Sequence, residues 1–443
     1  MNINHVRGIF CTNLPPSTIH INSLNYLSHR SWNGYLYFNR SDASINSSLN
    51  MPASNFEIIG CLGNDPVTND SKIILHGEIY GNFKPILKNI QNSKSLSKLL
   101  IHLNELYKLD GAYCIVIPTV LGTLICRDPI GMKPLYFGQY DNNIVISSQK
   151  KLIMDICVTA KSFLPGSAFL LEKNLFLMPS KSYFISSQFN DSNGDELISL
   201  LKSSLINRIG SKKKISISFS GGIDSSILVA LASQLSNVSA INVRMKNSYD
   251  YYNARKLSKL LGLDLIEVEP TQVEIIDAIP KIQNIAEVTR PLDISIGLGF
   301  YFVAQAAKIH GFQDLFVGQL ADELFGGYAR YLRTFKENGQ ESVIQMMRND
   351  VYNAYALNFE RDEKVTSPFV DLHVPYASIG VVKYGLSCPL SLKIDHSKQI
   401  RKIILKRIGK KLHLPADILT QSKKAIHFSS GIDKIVKNYL KHR

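Results

Sequence analysis

The chain has 443 residues, enough for two or three domains that each bury a core, so a disulfide-stapled miniprotein is excluded. Hydrophobic residues make up 45% and charged residues 19%, which is the balance of a folded globular protein and not of a disordered chain. The formal net charge of +14 leaves an anionic partner open.

Neither a membrane span nor a secretory signal is visible in the sequence. The best apolar run, 294–307, is shorter than the roughly 20 residues that a spanning helix needs, and it follows an aspartate. The N-terminus, MNINHVRGIF, lacks a basic start followed by an apolar stretch. Six cysteines occur without a CxxC pair, which argues against a zinc site and a disulfide framework. We therefore expect a cytoplasmic protein with reduced thiols and no membrane partner.

The first part of the chain has the pattern of antiparallel β structure. Short runs rich in Ile, Val, Leu and Tyr are separated by Gly, Asp and Asn, as is typical of strands and turns. A cluster of Ser, Asn, Asp and Gly at 185–195 indicates a seam, so we predict one domain at 1–190 and a second at 191–443. The strands predicted before the seam are 71–75, 112–118, 123–127 and 143–147.

After the seam, apolar runs alternate with segments of helical periodicity. Strands separated by helices predict a mostly parallel α/β sheet covered on both faces, whose ligands bind beyond the carboxyl ends of the strands. The chain from about residue 321 onward is predicted to be mostly helical. The predicted helices are 196–209, 224–235 and 251–261, and the predicted strands are 214–219, 239–244, 265–268 and 314–317.

The stretch SGGIDSS, residues 220–226, joins a predicted strand to an apolar-periodic helix. Adjacent glycines let backbone N–H groups approach an anion, and a helix N-terminus adds donors and a favourable dipole. Asp224 could hold Mg²⁺ against phosphate oxygens. This motif resembles that of the pyrophosphatase-loop ATPases, which split ATP between its α and β phosphates. The residues predicted to bind the nucleotide are Ser218, Ser220, Gly221, Gly222, Asp224, Ser225, Ser226 and Gly318.

A second motif narrows the resemblance. DLFVGQLADELFGGYARY, residues 314–331, is similar to the GEGADELFGGY signature of the asparagine synthetase family, which includes β-lactam synthetase. The resemblance implies that Asp224 and Asp322 bind the magnesium of ATP, although Asp322 read alone could cap a helix. LPADILTQSKKAIHF also resembles a family segment, which implies that Lys423 is the catalytic lysine stabilising negative charge, with Lys424 as a neighbouring alternative.

The first domain resembles the glutamine amidotransferase domain of the same family. VRGIF, HRSWNG, HGEIYGN, LDGAY and CRDPIGMKPLYFG are similar to its motifs, which implies an α+β N-terminal nucleophile-type sandwich with αββα layers. The family's nucleophile is an N-terminal cysteine whose own α-amino group acts as base, but Arg7 stands at that position and Cys11 lies outside the pattern. Glu78 is retained, whereas His76 and Lys94 replace pocket residues. We therefore predict a domain without glutaminase activity.

The second domain also departs from the family pattern. Gln319 replaces a glutamate assigned to substrate or general-base work, and a neutral amide cannot accept a proton at physiological pH. Gln421 replaces an arginine, and 358–371 lacks the family's E.R before PF. The nucleotide motifs are intact while the acceptor side differs, so the carboxylate substrate stays open. The catalytic candidates are Lys423 and Gln319.

The preferred hypothesis is an ATP- and Mg²⁺-dependent ligase. It would activate a small-molecule carboxylate as an acyl-adenylate, release pyrophosphate and AMP, and form an amide with ammonia or an amine. One alternative is an RNA-modifying enzyme, because residues 393–443 carry a net charge of +11 that could attract RNA or another polyanion, although a solvated amphipathic helix pair explains that charge more simply. Another alternative is a nucleotide-binding scaffold, and a homodimer is one option for either enzyme.

Overall fold

The computed structural model divides the chain into two compact units, Met1–Tyr183 and Phe184–Arg443. The predicted division after residue 190 falls close to this boundary, and the activities given to the two domains stay predictions. The structure describes residues 3–12, 25–30, 35–38, 45–48, 58–62, 73–178, 191–244, 249–420 and 431–441.

A 12-stranded sheet forms the first unit, and helices α1 (Lys84–Gln91), α2 (Leu96–Leu106) and α3 (Lys150–Ile156) accompany it. The strands are β1 (Asn4–Thr12), β2 (Tyr35–Phe38), β3 (Ile45–Ser48), β4 (Ile58–Leu62), β5 (Ile74–Ile79), β6 (Gly111–Thr119), β7 (Gly122–Arg127), β8 (Tyr136–Tyr140), β9 (Asn143–Ser147), β10 (Lys161–Ser162), β11 (Ala168–Leu170) and β12 (Leu175–Leu177).

The sheet of the first unit is largely antiparallel. Its main path runs β10-β8-β9-β1-β5-β6-β7-β11-β12, with β4 beside β1, β2 beside β4 and β3 beside β2. The pairing of β1 with β5 is parallel. Successive side chains of a strand point to opposite faces, so Ile9 and Cys11 of β1 join one apolar cluster while Phe10 joins another with Leu152 of α3. The sheet therefore has apolar packing on both faces, and the four-layer sandwich stays a prediction.

The second unit contains the predicted parallel sheet. Its strands are β13 (Lys214–Ser218), β14 (Asn237–Val243), β15 (Asp264–Val268), β16 (Asp314–Phe316) and β17 (Asp371–His373), and a small hairpin adds β18 (Ile394–Asp395) and β19 (Ile400–Arg401). Its helices are α4 (Asp195–Ile209), α5 (Ile223–Ala232), α6 (Tyr249–Leu260), α7 (Gln272–Ala286), α8 (Pro291–Ile309), α9 (Ala321–Phe325), α10 (Ala329–Ala354), α11 (Glu360–Thr366), α12 (Ile379–Ser387), α13 (Ile403–Lys411), α14 (Ala416–Thr420) and α15 (Ile432–Lys441).

The order of the five parallel strands, β15-β14-β13-β16-β17, creates a crevice at the carboxyl ends of β13 and β16. The chain moves outward from β13 to β14 and β15 and then returns to the other side of β13 as β16. Strand order therefore reverses between β13 and β16. Such a switch point is where α/β sheets bind their ligands.

Asp314 of β16 contacts His373 of the neighbouring strand β17 and Lys212, which precedes β13. His373 Nε2 lies 2.6 Å from its Oδ1, and Lys212 Nζ lies 3.0 Å from the same oxygen. Burial alone would raise the pKa of Asp314, but the hydrogen bond and charge of His373 and the charge of Lys212 outweigh it and lower the pKa to about 2.

Helix α8 meets the length and hydropathy of a membrane-crossing helix, but 67% of its apolar window is buried inside the unit. It packs against α7, α11, α15 and β14. Such surroundings are those of a core helix.

Candidate active site

A pocket of about 540 Å³ opens at the carboxyl ends of β13 and β16, within the size range of small-molecule sites. Gly221 and Ser226 are buried and are sequence neighbours of residues that line the pocket. Lys423 lies outside the described residues. The structure thus brings two distant segments of the chain to one pocket. The predicted residues that line it are Ser218, Ser220, Gly222, Asp224, Ser225, Gly318, Gln319 and Asp322.

The loop after β13 is held in shape by its own hydrogen bonds. Gly221 has φ +73°, a left-handed conformation that glycine adopts without steric cost. The hydroxyl of Ser225 donates to the Gly222 carbonyl over 3.2 Å. Helix α5 begins without a side-chain cap, so its first turn can donate to an anion. The buried hydroxyl of Ser226 has no hydrogen-bond partner within the described parts of the chain, which leaves it unused bonding capacity beside the loop.

Asp224 and Asp322 converge on one cation, the ammonium of Lys402. Its Nζ lies 2.5 Å from both carboxylate oxygens of Asp224 and 2.7 Å from Oδ1 of Asp322. Lys402 is buried and has φ +56°, which is uncommon for a residue with a side chain. Burial lowers the pKa of Lys402, and the charge of Asp224 opposes that shift.

Helix α9 presents Asp322 from its first turn. The helix begins at Ala321 and its N-cap is Leu320, so the interpretation of Asp322 as a helix cap is wrong. A Cβ on Gly327 would lie 1.7 Å from Oδ1 of Asp322, and a Cβ on Gly318 would lie 3.2 Å from Cβ of Asp224. These two glycines therefore leave the space in which the carboxylates meet.

The wall of the pocket that contains Gln319 and Arg290 has a network of charged hydrogen bonds. Gln319 Nε2 donates to Oδ2 of Asp362 over 2.5 Å, and Arg361 Nε donates to Oδ1 of Asp362 over 2.7 Å. Arg361 also contacts Asp293 at 3.1 Å, and Arg290 donates to Asp293 at 2.6 Å. Burial raises the pKa of Asp362, while the charge of Arg361 opposes that shift. The sequence did not identify Asp362 as a site residue, because it orients the Gln319 amide through a contact between residues 43 positions apart in the chain.

The donor set around Asp224 and Asp322 fits a magnesium ion. Within the described ranges, no three His, Cys, Asp or Glu side chains cluster as a complete metal site. Magnesium commonly binds through one or two carboxylates and completes its shell with water and substrate phosphates. The two carboxylates already share one cation, and carboxylate oxygens are hard ligands that suit this metal.

In the first unit, Arg7 lies within β1, where the chain continues on both sides of it. The residue is buried, and its neighbour Val6 pairs with His76 of β5. Glu78 of the same strand accepts a hydrogen bond from the hydroxyl of Tyr80. Because residue 7 sits inside the strand, its nitrogen is a peptide nitrogen and cannot serve as a terminal amine.

Parts of the basic segment 393–443 are engaged inside the second unit. Lys393 and Lys402 are buried, and Lys411 and Lys437 each lie 2.6 Å from an aspartate. Some of the positive charge that suggested RNA binding is therefore in contact with carboxylates or carbonyls of the same unit. RNA binding and a homodimer stay predictions.

The fold and pocket define an α/β protein with a glycine-containing loop and an acidic pair at a topological switch point. Residues 196–368 and 337–443 match the family model described as asparagine synthase. These matches span more than half of the chain, so the chain belongs to the asparagine synthase family.

Individual relatives agree with this assignment. A Methanocaldococcus jannaschii protein, provisionally named glutamine-hydrolyzing asparagine synthetase 1, is 27% identical over 460 residues, covering 88% of this chain and 84% of its own. Glutamine-hydrolyzing asparagine synthetase 1 of Arabidopsis thaliana is 26% identical, covering 84% and 68%. The solved structure of NMN synthetase from Francisella tularensis is 15% identical with a TM-score of 0.31, covering 56% and 87%. The family assignment rests on the sequence matches.

Proposed function

We propose that the chain is a ligase that uses ATP to activate a small-molecule carboxylate and joins it to ammonia or an amine. The observation that carries this proposal is the convergence of Asp224 and Asp322 on one cation position beside the SGGIDSS loop. These carboxylates lie in the first turns of the helices that follow β13 and β16, at the edge of the sheet where a nucleotide would bind. A protein that only packed this crevice would have no need of two acids, a glycine-rich turn and an open pocket at one place.

The chain's own residues would divide the work on the nucleotide. Backbone N–H groups of the turn and of the first turn of α5 would bind phosphate oxygens, helped by the hydroxyls of Ser220 and Ser225. Asp224 and Asp322 would hold Mg²⁺, which supplies positive charge to the pyrophosphate leaving group. Lys402 would then be released from the carboxylates and would be available to the phosphates.

The proposed reaction has two displacements. An oxygen of the substrate carboxylate attacks the α-phosphorus of ATP, and the bond to pyrophosphate breaks. The nitrogen of ammonia or an amine then attacks the acyl carbon, the bond to AMP breaks, and the nitrogen loses a proton to water. Lys423, which lies outside the described residues, keeps its proposed role of stabilising the negative charge of these steps.

The network of hydrogen bonds between Gln319, Asp362, Arg361, Asp293 and Arg290 supports a polar carboxylate substrate. Gln319 lines the pocket and has an amide that is oriented by Asp362, and Arg290 lies on the same wall. Groups that are already fixed by hydrogen bonds lose little freedom when they bind a ligand. The identity of the acid is left to the assay.

The test is carboxylate-dependent exchange of labelled pyrophosphate into ATP, which reports adenylate formation. The full chain would be assayed with Mg²⁺ and a panel of small carboxylates, together with Asp224→Asn and Asp322→Asn. Asp277→Asn, an exposed aspartate of α7, is the matched control. We expect roughly 100-fold or greater loss of exchange in the first two variants and none in the control. Release of ADP and phosphate, or no ATP binding with Mg²⁺ present, would contradict the proposal.

We also propose that the first unit does not hydrolyse glutamine. Arg7 cannot attack a carboxamide, and its nitrogen is part of a strand. The nitrogen would then come from free ammonia or an amine. Glutamate release from glutamine by the purified chain, at the rate of amide formation, would refute this.

A further inference from the structure

A second cavity, of about 240 Å³, lies between α10 and the C-terminal end of α12. Apolar side chains line one part of it, including Ile344, Met347 and Leu390. Lys393 and Arg348 line another part. The cavity is too small for a nucleotide and is below the usual size of a drug-sized site, so it suits a small metabolite.

Lys393 is a buried cation without a carboxylate partner in the described ranges. Only 6% of the residue is exposed, and its Nζ donates to the Gly385 carbonyl of α12 over 2.5 Å. Burial lowers the pKa of Lys393 to about 8; Cys388 opposes this shift, and the positive charge of Arg348 adds to it. Burying an ammonium is costly unless it is paired and hydrogen-bonded, and one carbonyl satisfies only one of its three donors.

The other charged groups of the cavity do not neutralise Lys393. Arg348 is exposed on α10 and forms no ion pair within the described residues. Glu323 also lines the cavity, but its Oε1 accepts hydrogen bonds from Tyr328 at 2.7 Å and Asn358 at 2.8 Å. The lining therefore carries an excess of positive charge next to an apolar surface.

We infer that this cavity binds a small aliphatic carboxylate, with its anionic group on Lys393 and Arg348 and its hydrocarbon part on the apolar lining. The carboxylate of such a ligand would pair with the two cations, and its hydrocarbon part would cover the apolar lining. A compact inorganic oxyanion would supply only the charge. The inference does not depend on the proposed ligase activity.

The cavity adjoins the nucleotide pocket through α9. Leu324 lines the cavity, whereas Asp322 of the same helix lines the nucleotide pocket, and Glu323 lines both. The binding test is therefore made without ATP or Mg²⁺, and variants of Lys393 and Arg348, which line only the second cavity, distinguish it from the first pocket.

The test is calorimetric titration of the full chain with pentanoate, with the uncharged pentanamide, and with inorganic phosphate. We expect one pentanoate per chain, bound at least roughly tenfold more tightly than pentanamide. Lys393→Met should weaken pentanoate binding by roughly tenfold or more, and so should the charge reversal Arg348→Glu, which is at an exposed position and leaves the fold intact. Lys398→Met, an exposed lysine of the same segment, is the matched control and should bind as the wild type does.

Two results would overturn the inference. One is pentanoate binding that is absent in the wild type or is equal in the wild type and Arg348→Glu. The other is binding of phosphate but not of pentanoate, which would make the cavity an inorganic oxyanion site. If Lys393→Met fails to fold, Arg348→Glu alone decides the outcome.

Discussion

Replacing Lys402 with methionine tests whether the acidic pair is a cation site. The ammonium lies 2.5 Å from Asp224 and 2.7 Å from Asp322, so the two contacted oxygens are at most 5.2 Å apart, the sum of these distances. Methionine keeps a similar side-chain volume but removes the charge, which leaves two carboxylates facing each other. At about 5 Å and an effective dielectric constant of about 20, their repulsion is about 3 kcal/mol.

Both carboxylates line an open pocket, where water screens part of this repulsion. We therefore expect Lys402→Met to lower the free energy of unfolding by about 2 kcal/mol, less than the 3–5 kcal/mol typical of a broken buried pair. In a unit of this size, the Tm should fall by roughly 4–8 °C. Millimolar Mg²⁺ without nucleotide should recover most of that loss, because a bound ion replaces the missing ammonium.

The assay is thermal unfolding of the wild type and Lys402→Met with and without Mg²⁺, with Lys398→Met as the exposed-lysine control. The wild type and the control should respond little to Mg²⁺, since Lys402 already neutralises the pair. An unchanged Tm in Lys402→Met, or a Tm that falls but does not respond to Mg²⁺, would refute the assignment of Asp224 and Asp322 as a shared cation site.

Three further substitutions test the remaining geometry. Gly327→Ala places a Cβ 1.7 Å from Oδ1 of Asp322, so pyrophosphate exchange should fall by roughly 100-fold; wild-type exchange would contradict this. Gln319→Glu puts a second carboxylate beside Asp362, 2.5 Å from the present amide nitrogen, and should cost about 1–3 kcal/mol in urea unfolding at pH 7 without raising activity; unchanged stability would show that the contact is absent. Asp314 has its pKa lowered to about 2, so it stabilises the fold above about pH 4 and loses that contribution as the pH falls through 2; Asp314→Asn should lose about 2 kcal/mol at pH 7, and its gap from the wild type should close between pH 4 and 2. A gap that does not vary with pH would refute the last prediction.

Local patterns were sufficient to predict the loop and its flanking elements. The strand predicted at 214–219 is Lys214–Ser218, and the helix predicted at 224–235 is Ile223–Ala232. Here glycine, apolar periodicity and the strand-to-helix transition lie within about twenty residues of chain. Strand Asp371–His373 was missed because it has three residues and is defined only by its parallel pairing with β16.

Lys402 could not have been identified from the sequence by the same reasoning. It is one of many cations in a basic segment, and it is 178 residues from Asp224 along the chain. Its role comes from the β18–β19 hairpin, which ends at Arg401, and from a left-handed backbone at residue 402. Only the tertiary contact distinguishes it from the exposed Lys398.

The amide at position 319 has a local physical reason that does not require the loss of activity. Asp362 is fully buried and accepts a hydrogen bond from Gln319, a contact that a glutamate could make only by taking up a proton. An acid at 319 and an acid at 362 would repel each other, so the acidic group on this wall is at 362 and the donor is at 319. The departure from the family pattern is thus explained by a neighbouring side chain, while Asp224, Asp322 and the loop keep the arrangement that binding a nucleotide needs. A scaffold that had lost its chemistry would be under no constraint to keep that arrangement, and for this reason we favour a ligase with an altered acceptor over a nucleotide-binding scaffold.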